Sequence, residues 1–287
     1  MANSAVEATV TFDGHKVSIE YSEGEGEGEG EIKPLIEFLF GDLPVEQIAT
    51  NEATFVIERP TGQDNWQLHR NQSKLFSGKD LNGLGNTLGG EVLFTLIENN
   101  QSGMAIHAGL VSTKDSSILL PADSGSGKSS VTTWLLTQGW YYHTDELVII
   151  NLQNGALKAF TRPLNIKSHG LAPIGEIFDL NSHHGELRAS NMVTMIPHRL
   201  VNPSYREEIP PLSAIVFPHY SKDSEPGIQK ISGAEAGLEL MRSNVIARNL
   251  PGHGFSDVTR LVRRLPAYRL HYQHFDDLPS LFKQVNL

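Results

Sequence analysis

The chain has 287 residues, a formal charge of −10 and no cysteine. Hydrophobic residues make up 39% and charged residues 20%, which is typical of a globular protein with one large domain or two modest ones. The acidic charge argues against a general binder of nucleic acid or of anionic membranes, since both need clustered lysine and arginine. The lack of cysteine excludes disulfides, thiolate metal sites and cysteine nucleophiles.

The first twenty residues alternate polar and apolar side chains. They have neither the basic start nor the continuous apolar run of a signal peptide. No stretch of the sequence approaches the ~20 apolar residues that a membrane helix needs. We therefore expect a cytoplasmic protein that binds neither a membrane nor nucleic acid.

The first hundred residues predict a small region of mixed β and α structure, spanning 1–102. Segments 8–12 and 16–21 alternate in polarity on either side of an Asp-Gly pair, which predicts a β-hairpin. The Glu/Gly repeat at 23–30 predicts a flexible loop, because its like charges repel and its glycines favour no single conformation. Further predicted elements of this region are strands at 53–59 and 66–69 and a helix at 84–98.

Residues 103–287 predict a second region with a different order of elements. A strand at 104–111 and a short apolar strand at 117–120 precede a glycine-rich segment, and a helix then runs from Ser130 to Gln138, where Gly139 stops it. The later predicted elements are an apolar segment at 140–152, strands at 156–160, 212–217 and 267–272, a helix at 232–248 that starts with a capping box, and a helix at 256–264.

The glycine-rich segment carries the strongest functional signal in the chain. From Ala122 to Ser129 it reads A-D-S-G-S-G-K-S, between a predicted strand and a predicted helix. A phosphate chain needs several backbone N–H groups aimed at it, which Gly125 and Gly127 permit, and the helix N-terminus adds its dipole. Lys128 is placed to contact the β- and γ-phosphates and Ser129 to bind magnesium. The sequence therefore predicts a P-loop, with a glycine-rich turn that binds nothing as the alternative.

The segment departs from the P-loop pattern at one position. Ala122 stands where the pattern has its first glycine, so the backbone there must keep a negative φ or carry some strain. This departure favours the alternative of a protein that binds a nucleotide without transferring phosphate.

An acidic pair and a histidine accompany the predicted P-loop. Asp145 and Glu146 lie near the middle of the apolar segment that follows the P-loop helix. Two carboxylates inside a strand are costly to bury without a partner, and a magnesium nucleotide would supply one. The alternative is an exposed strand end with solvated acids. His107 lies on the strand before the P-loop strand, where an ordinary core or edge histidine is the alternative.

Three segments together resemble the catalytic domain of HPr kinase/phosphorylase and of the P-loop kinases related to it. They are Ile106 to Gly109, Leu119 to Ser129 and Trp140 to Glu146. The resemblance covers about 103–166. The family's P-loop has the form G-D-S-G-x-G-K-S, akin to that of phosphoenolpyruvate carboxykinases, and differs here at Ala122. The family has a second aspartate where this chain has Glu146. The resemblance implies a mixed α/β P-loop kinase domain of this type over 103–287.

The resemblance also implies roles for the acidic pair and its neighbours. Asp145 would be the base that takes the proton of an acceptor hydroxyl, with His107 and Lys128 as the other catalytic residues. Magnesium would be held by Ser129, Glu146 and Asp145.

A basic segment beyond the P-loop resembles one found in the related kinases. Arg162 and Lys167 lie in it and would contact phosphate, with solvated loop charges as the alternative. The predicted nucleotide-binding residues are Ser124, Gly125, Ser126, Gly127, Lys128, Ser129, Ser130 and Arg162.

The function expected from this resemblance is a magnesium- and ATP-dependent kinase that transfers the γ-phosphoryl group to a hydroxyl, such as a serine hydroxyl of a peptide, a protein or a small molecule. Its partners would be a nucleotide and that acceptor, and the sequence leaves a homo-oligomer open. One alternative is a nucleotide-binding regulatory or assembly module without phosphotransfer. Another is a reversible kinase/phosphorylase that uses phosphate or pyrophosphate. Residues 1–102 do not resemble the N-terminal domain of the regulatory HPr kinases, so the acceptor is not inherited from the family.

Overall fold

The computed structural model describes residues 5–22, 29–60, 62–151 and 153–287. They form a mixed α/β protein with several sheets, in agreement with the coarse fold class expected from the sequence. The chain divides into two compact units, Met1–Asn100 with Arg188–Thr194 and Gln101–Leu187 with Met195–Leu287. Within these described ranges, no helix is both long and apolar enough to cross a membrane.

The first unit is built on a five-stranded sheet whose strands follow one another in chain order. Its elements are β1 (Ala5–Phe12), β2 (His15–Ser22), α1 (Ile32–Phe40), β3 (Thr50–Glu58), β4 (Trp66–Arg70), β5 (Ser73–Gly78) and α2 (Leu81–Ile97). The predicted hairpin is confirmed, because β1 and β2 pair antiparallel around Asp13 and Gly14. Both turn residues have positive φ, 51° and 82°, as a tight two-residue hairpin turn requires.

The predicted loop at 23–30 lies mostly outside the described residues, which resume at Glu29. From there the chain forms a 3-10 helix, Glu29–Glu31, that leads directly into α1. The predicted loop boundary at residue 30 is therefore wrong, because helical structure already begins at Glu29. Helix α1 was not predicted, although it buries Leu35 and Leu39 on one face. The spacing of these two residues is the usual sign of an amphipathic helix.

The second unit contains the predicted P-loop region. Its first elements are β6 (Gly103–Ile106), β7 (Ala108–Ser112), β8 (Ser117–Pro121), α3 (Lys128–Thr137), β9 (Tyr141–Thr144), β10 (Val148–Asn151), β11 (Leu157–Ala159), β12 (Leu164–Lys167) and α4 (Ser168–Ile177). The short strand β13 (Arg188–Ala189) belongs to the first unit. The chain returns to the second unit within β14 (Val193–Ile196). The remaining elements are α5 (His198–Val201), β15 (Leu212–Tyr220), β16 (Gly227–Lys230), α6 (Gly233–Ser243), α7 (Phe255–Arg264), β17 (Ala267–Tyr272) and α8 (Leu278–Gln284).

A six-stranded sheet with the order β16-β17-β15-β8-β7-β9 forms the centre of the second unit. Strands β8, β15 and β17 are parallel, whereas β7 is antiparallel to both β8 and β9. Strand β9 therefore runs in the same direction as β8. Four strands, β8, β9, β15 and β17, consequently end at one edge of the sheet, where β7 begins. We call this the carboxyl edge.

Apolar cores cover both faces of this sheet. Ile118 and Leu120 of β8 belong to one core together with Val131 of α3. Leu119, between them, belongs to the opposite core together with Leu240 of α6. Because successive side chains of a strand point to opposite faces, a strand buried on both sides is apolar at every position. This explains why the short run at 117–120 was predictable as a central strand.

The strand predicted at 104–111 is wrong in one respect, because it is two strands that belong to different sheets. Strand β6 pairs with β10, whereas β7 pairs with β8 and β9, and the change occurs at His107. The backbone N–H of His107 donates to the carbonyl of Ser243 (2.8 Å), outside either sheet. Continuous apolar character alone did not reveal this break.

The helix predicted at 232–248 begins as expected, since the side chains and backbone of Ser232 and Glu235 form the capping box. It ends earlier than predicted, at the end of α6. Asn244 there forms a β-bridge with Ile106, so pairing with a distant segment replaces further helix.

Helix α4 was not predicted, because its Gly170, Pro173 and Gly175 all have low helix propensity.

Candidate functional site

The carboxyl edge brings the predicted site residues of the second unit together. Register pairs Ala108 with Pro121 and Leu110 with Thr144. The end of β8, the end of β9 and the start of β7 therefore lie side by side. The glycine-rich loop follows β8, the acidic pair follows β9, and His107 precedes β7.

The loop between β8 and α3 has the backbone expected of a phosphate cradle. Gly125 and Gly127 have φ values of 89° and 88°, in the left-handed region that favours glycine. Ala122 is absent from the described non-glycine residues that have positive φ. Alanine is therefore accommodated at the position of the first P-loop glycine without the strain that the sequence left open.

Two N–H groups at the end of this loop have no acceptor in the described protein, whereas the Ser126 N–H donates to the Asp123 carbonyl (3.2 Å). Among the described residues, those of Gly127 and Lys128 donate no hydrogen bond. Lys128 is the first residue of α3, and no side chain caps this helix. The start of a helix combines such N–H groups with a positive dipole end, which together attract an anion.

Lys128 and Asp145 form a buried ion pair across the site. Lys128 is 8% exposed and Asp145 is 5% exposed. The Nζ atom of Lys128 lies 2.7 Å from Oδ1 of Asp145 and also donates to its backbone carbonyl. Thr132 donates to the same Oδ1 atom (3.3 Å). The acid is therefore buried and paired, and not the solvated strand end that was the alternative.

The acidic pair lies in a bend after β9 and not inside a strand, which corrects the sequence prediction. The second acid, Glu146, is partly buried and lies 3.3 Å from Nη2 of Arg162. Burial would raise the pKa of Glu146, but the charges of Arg162 and Lys128 outweigh burial and hold the pKa below its usual value. Glu146 thus remains a carboxylate at neutral pH.

His107 lies within electrostatic reach of the ion pair. Burial lowers the pKa of His107, and the positive charge of Lys128 lowers it further, although Glu146 and Asp145 act in the opposite direction. The imidazole is therefore neutral at neutral pH and able to accept a proton.

The predicted serines differ in what their side chains contact. The Ser126 hydroxyl donates to the Asp123 carbonyl (2.6 Å) and stabilises the loop itself. Lys167 donates to the Ser124 hydroxyl, so this basic residue reaches the loop. Ser130 is partly exposed in the first turn of α3. Ser129 lies in the first turn of α3 and is partly exposed.

Two tyrosines at the site were not predicted. Tyr220 ends β15 and Tyr272 ends β17, and both contact the loop through hydrogen bonds to its carbonyl groups. Their positions follow from strand pairing between distant parts of the chain. No local sequence pattern marks them.

No metal-binding cluster of three or more histidine, cysteine or acidic side chains forms among the residues that the structure describes. A cavity of about 630 Å³ lies within the first unit, lined by Glu31, Arg59, Asp64, Trp66, Lys79, Leu81, Asn82 and Arg188. None of the predicted site residues lines it. The residues predicted to carry the chemistry therefore lie outside this cavity.

Comparison with known proteins adds little to this geometry. No family model matches the chain, and no curated protein matches it. Among solved structures, the HPr(Ser) kinase/phosphatase from Coxiella burnetii is similar over 63% of this chain and 93% of its own length, with a TM-score of 0.28 and 11% sequence identity. A likeness this weak carries no argument about fold or function.

We expect Gly127→Ala to destabilise the protein more than Gly139→Ala does. Both glycines have a φ of 88°, so each substitution costs about 1 kcal/mol or more through the backbone. A Cβ atom at 139 meets open space, whereas one at 127 would lie 2.1 Å from the Tyr272 hydroxyl. The overlap adds about 1–3 kcal/mol at 127. Urea unfolding of both variants measures the difference, and equal losses would contradict this packing.

We expect stability to fall between pH 6.5 and pH 4 because of His143. Burial, aided by the charge of Arg206, lowers the pKa of His143 from 6.5 to about 4. Between pH 6.5 and pH 4 the His143 side chain is protonated in the unfolded chain but neutral in the folded chain. The free energy of unfolding therefore decreases by about 3 kcal/mol as the pH falls through this window. Urea unfolding at pH 7 and pH 4.5 should show a smaller loss for His143→Gln. The exposed control His184→Gln should keep the loss of the wild type.

Proposed function

We propose that this chain is a magnesium- and ATP-dependent kinase that transfers the γ-phosphoryl group to a hydroxyl of a peptide, a protein or a small molecule. One observation carries the proposal. Lys128 is the first residue of α3, the helix that follows the glycine-rich loop. Its ammonium group is bonded to the buried Asp145 at the carboxyl edge. An anion-binding backbone, a cation and a base would then lie within one small site.

The phosphate groups would bind at the start of α3. Gly127 and Lys128 offer N–H groups that no described residue accepts. Arg162 is held near the site by Glu146, where it would add positive charge. Such groups bind a phosphate chain mainly by positioning and charge neutralisation.

The side chains at the edge also suit a magnesium ion. Asp145, Glu146 and the Ser129 hydroxyl offer oxygen ligands, the type that magnesium prefers. Glu146 stays ionised because nearby positive charges hold its pKa low. These three residues would hold the ion, and the ion would neutralise charge on the phosphates.

Asp145 would act as the base. In the proposed transfer, the acceptor oxygen forms a bond to the γ-phosphorus while the bond from that phosphorus to the bridging oxygen of ADP breaks. The hydroxyl proton passes to the Asp145 carboxylate. The neutral imidazole of His107, in the same electrostatic environment, offers a second proton acceptor.

One observation favours a second function, a nucleotide-binding module that transfers no phosphate. The carboxylate of Asp145 already accepts hydrogen bonds from both Lys128 and Thr132. A carboxylate engaged in this way is a weaker base, because its negative charge is already compensated. ATP binding without any phosphorylated product would support this function.

We expect Lys128→Met to weaken ATP binding by about tenfold to a hundredfold, since it removes a charged donor from the phosphate site. Methionine preserves the length of the side chain. Calorimetric titration with ATP and magnesium measures the affinity, and circular dichroism confirms that the variant is folded. The double variant Lys128→Met/Asp145→Asn avoids a buried unpaired carboxylate. Lys230→Met, at an exposed position, is the control, and an unchanged affinity of Lys128→Met would refute the phosphate site.

We expect Asp145→Asn to bind ATP but to transfer phosphate about 10²–10⁴ times more slowly, because it removes the base. Asparagine keeps the shape of the side chain, and the backbone carbonyl still accepts from Lys128. The assay follows labelled phosphate from ATP to serine peptides and to small hydroxylated molecules. Asp115→Asn, an exposed substitution, is the control. Transfer by Asp145→Asn at the wild-type rate would exclude Asp145 as the base.

A further inference from the structure

The ends of β15 and β17 contact the glycine loop from the side opposite its N–H groups. The backbone N–H of Tyr220 donates to the carbonyl of Ser126 (2.9 Å). The hydroxyl of Tyr272 donates to the carbonyl of Gly127 (3.0 Å). The two tyrosines are partners in the parallel pairing of β15 with β17, so one sheet edge supplies both contacts.

These contacts fix two consecutive peptide groups. In a trans peptide the C=O and the following N–H point in opposite directions within one plane. A bond to the Ser126 carbonyl therefore directs the Gly127 N–H away from the sheet, and a bond to the Gly127 carbonyl does the same for the Lys128 N–H. Both of these N–H groups donate to no described residue.

The Tyr272 hydroxyl is held tightly in place. Tyr272 is 3% exposed, and its hydroxyl occupies the space that a Cβ atom on residue 127 would need. The Gly127 carbonyl also accepts from the N–H of Val131, so the hydroxyl is a second donor at a helix start. Burial raises the pKa of Tyr272, which therefore stays protonated and able to donate.

We propose that the Tyr272 hydroxyl is a positioning group for the nucleotide phosphates. By bonding the Gly127 carbonyl, it orients the Lys128 N–H toward a bound phosphate. The proposal rests on the nucleotide-binding function proposed above. It adds a residue from the last strand of the sheet to a site otherwise formed by the loop, α3 and the ends of β8 and β9.

The test is Tyr272→Phe, which removes only the hydroxyl. We expect ATP and ADP to bind about five- to tenfold more weakly, as the loss of one orienting hydrogen bond implies. The melting temperature without nucleotide should stay close to that of the wild type, because the Gly127 carbonyl keeps its bond from the N–H of Val131. The stabilisation that ATP adds to the melting temperature should fall. Tyr268→Phe is the matched control, since Tyr268 lies on the same face of β17 and forms none of these contacts.

The outcomes separate this role from the proposed function. If the wild type binds no ATP, the nucleotide site itself fails, and the role of Tyr272 fails with it. If the wild type binds ATP and Tyr272→Phe binds it equally well, only the role of Tyr272 is overturned. A large fall in melting temperature with unchanged ATP affinity would show a purely structural hydroxyl and would also overturn the proposal.

Discussion

The buried ion pair between Lys128 and Asp145 is the interaction on which the carboxyl edge depends. An ammonium group or a carboxylate is costly to bury alone, so each residue makes the burial of the other tolerable. Lys128 begins α3 and Asp145 follows β9, so the pair joins the start of a helix to the end of a strand. The glycine loop runs from the end of β8 to the same helix start. The ion pair thus fixes one end of the loop, and β8 fixes the other.

This pair also depends on close packing of α3 against β7, the strand between β8 and β9. At Gly109 of β7, an added Cβ atom would lie 2.6 Å from Oγ1 of Thr132 and 3.4 Å from Oδ1 of Asp145. Glycine is required there for close approach, since its φ is not positive. The small residue on β7 and the lysine on α3 are therefore parts of one packing arrangement. A larger residue at 109 would separate the acid from the helix that holds its partner.

Local signals predicted much of the fold and the site. The Asp13-Gly14 turn, the buried strand β8, the glycine loop and the start of α6 at Ser232 each depend on residues within a few positions of one another. The failures depend on distant partners. The break at His107 and the early end of α6 arise because these two segments pair with each other. Tyr272 is 145 residues from the loop carbonyl that it contacts, and only the strand order of the folded sheet places it there.

The position of Tyr272 in the chain has a consequence for biosynthesis. A ribosome completes the glycine loop, Lys128 and Asp145 long before it reaches β17, so a nascent chain has the loop without the hydroxyl that orients it. In the arrangement proposed here, such a chain lacks a hydroxyl whose loss weakens nucleotide binding about five- to tenfold. Full affinity for nucleotide would then report that synthesis of this sheet is finished, and truncated products would compete weakly for ATP.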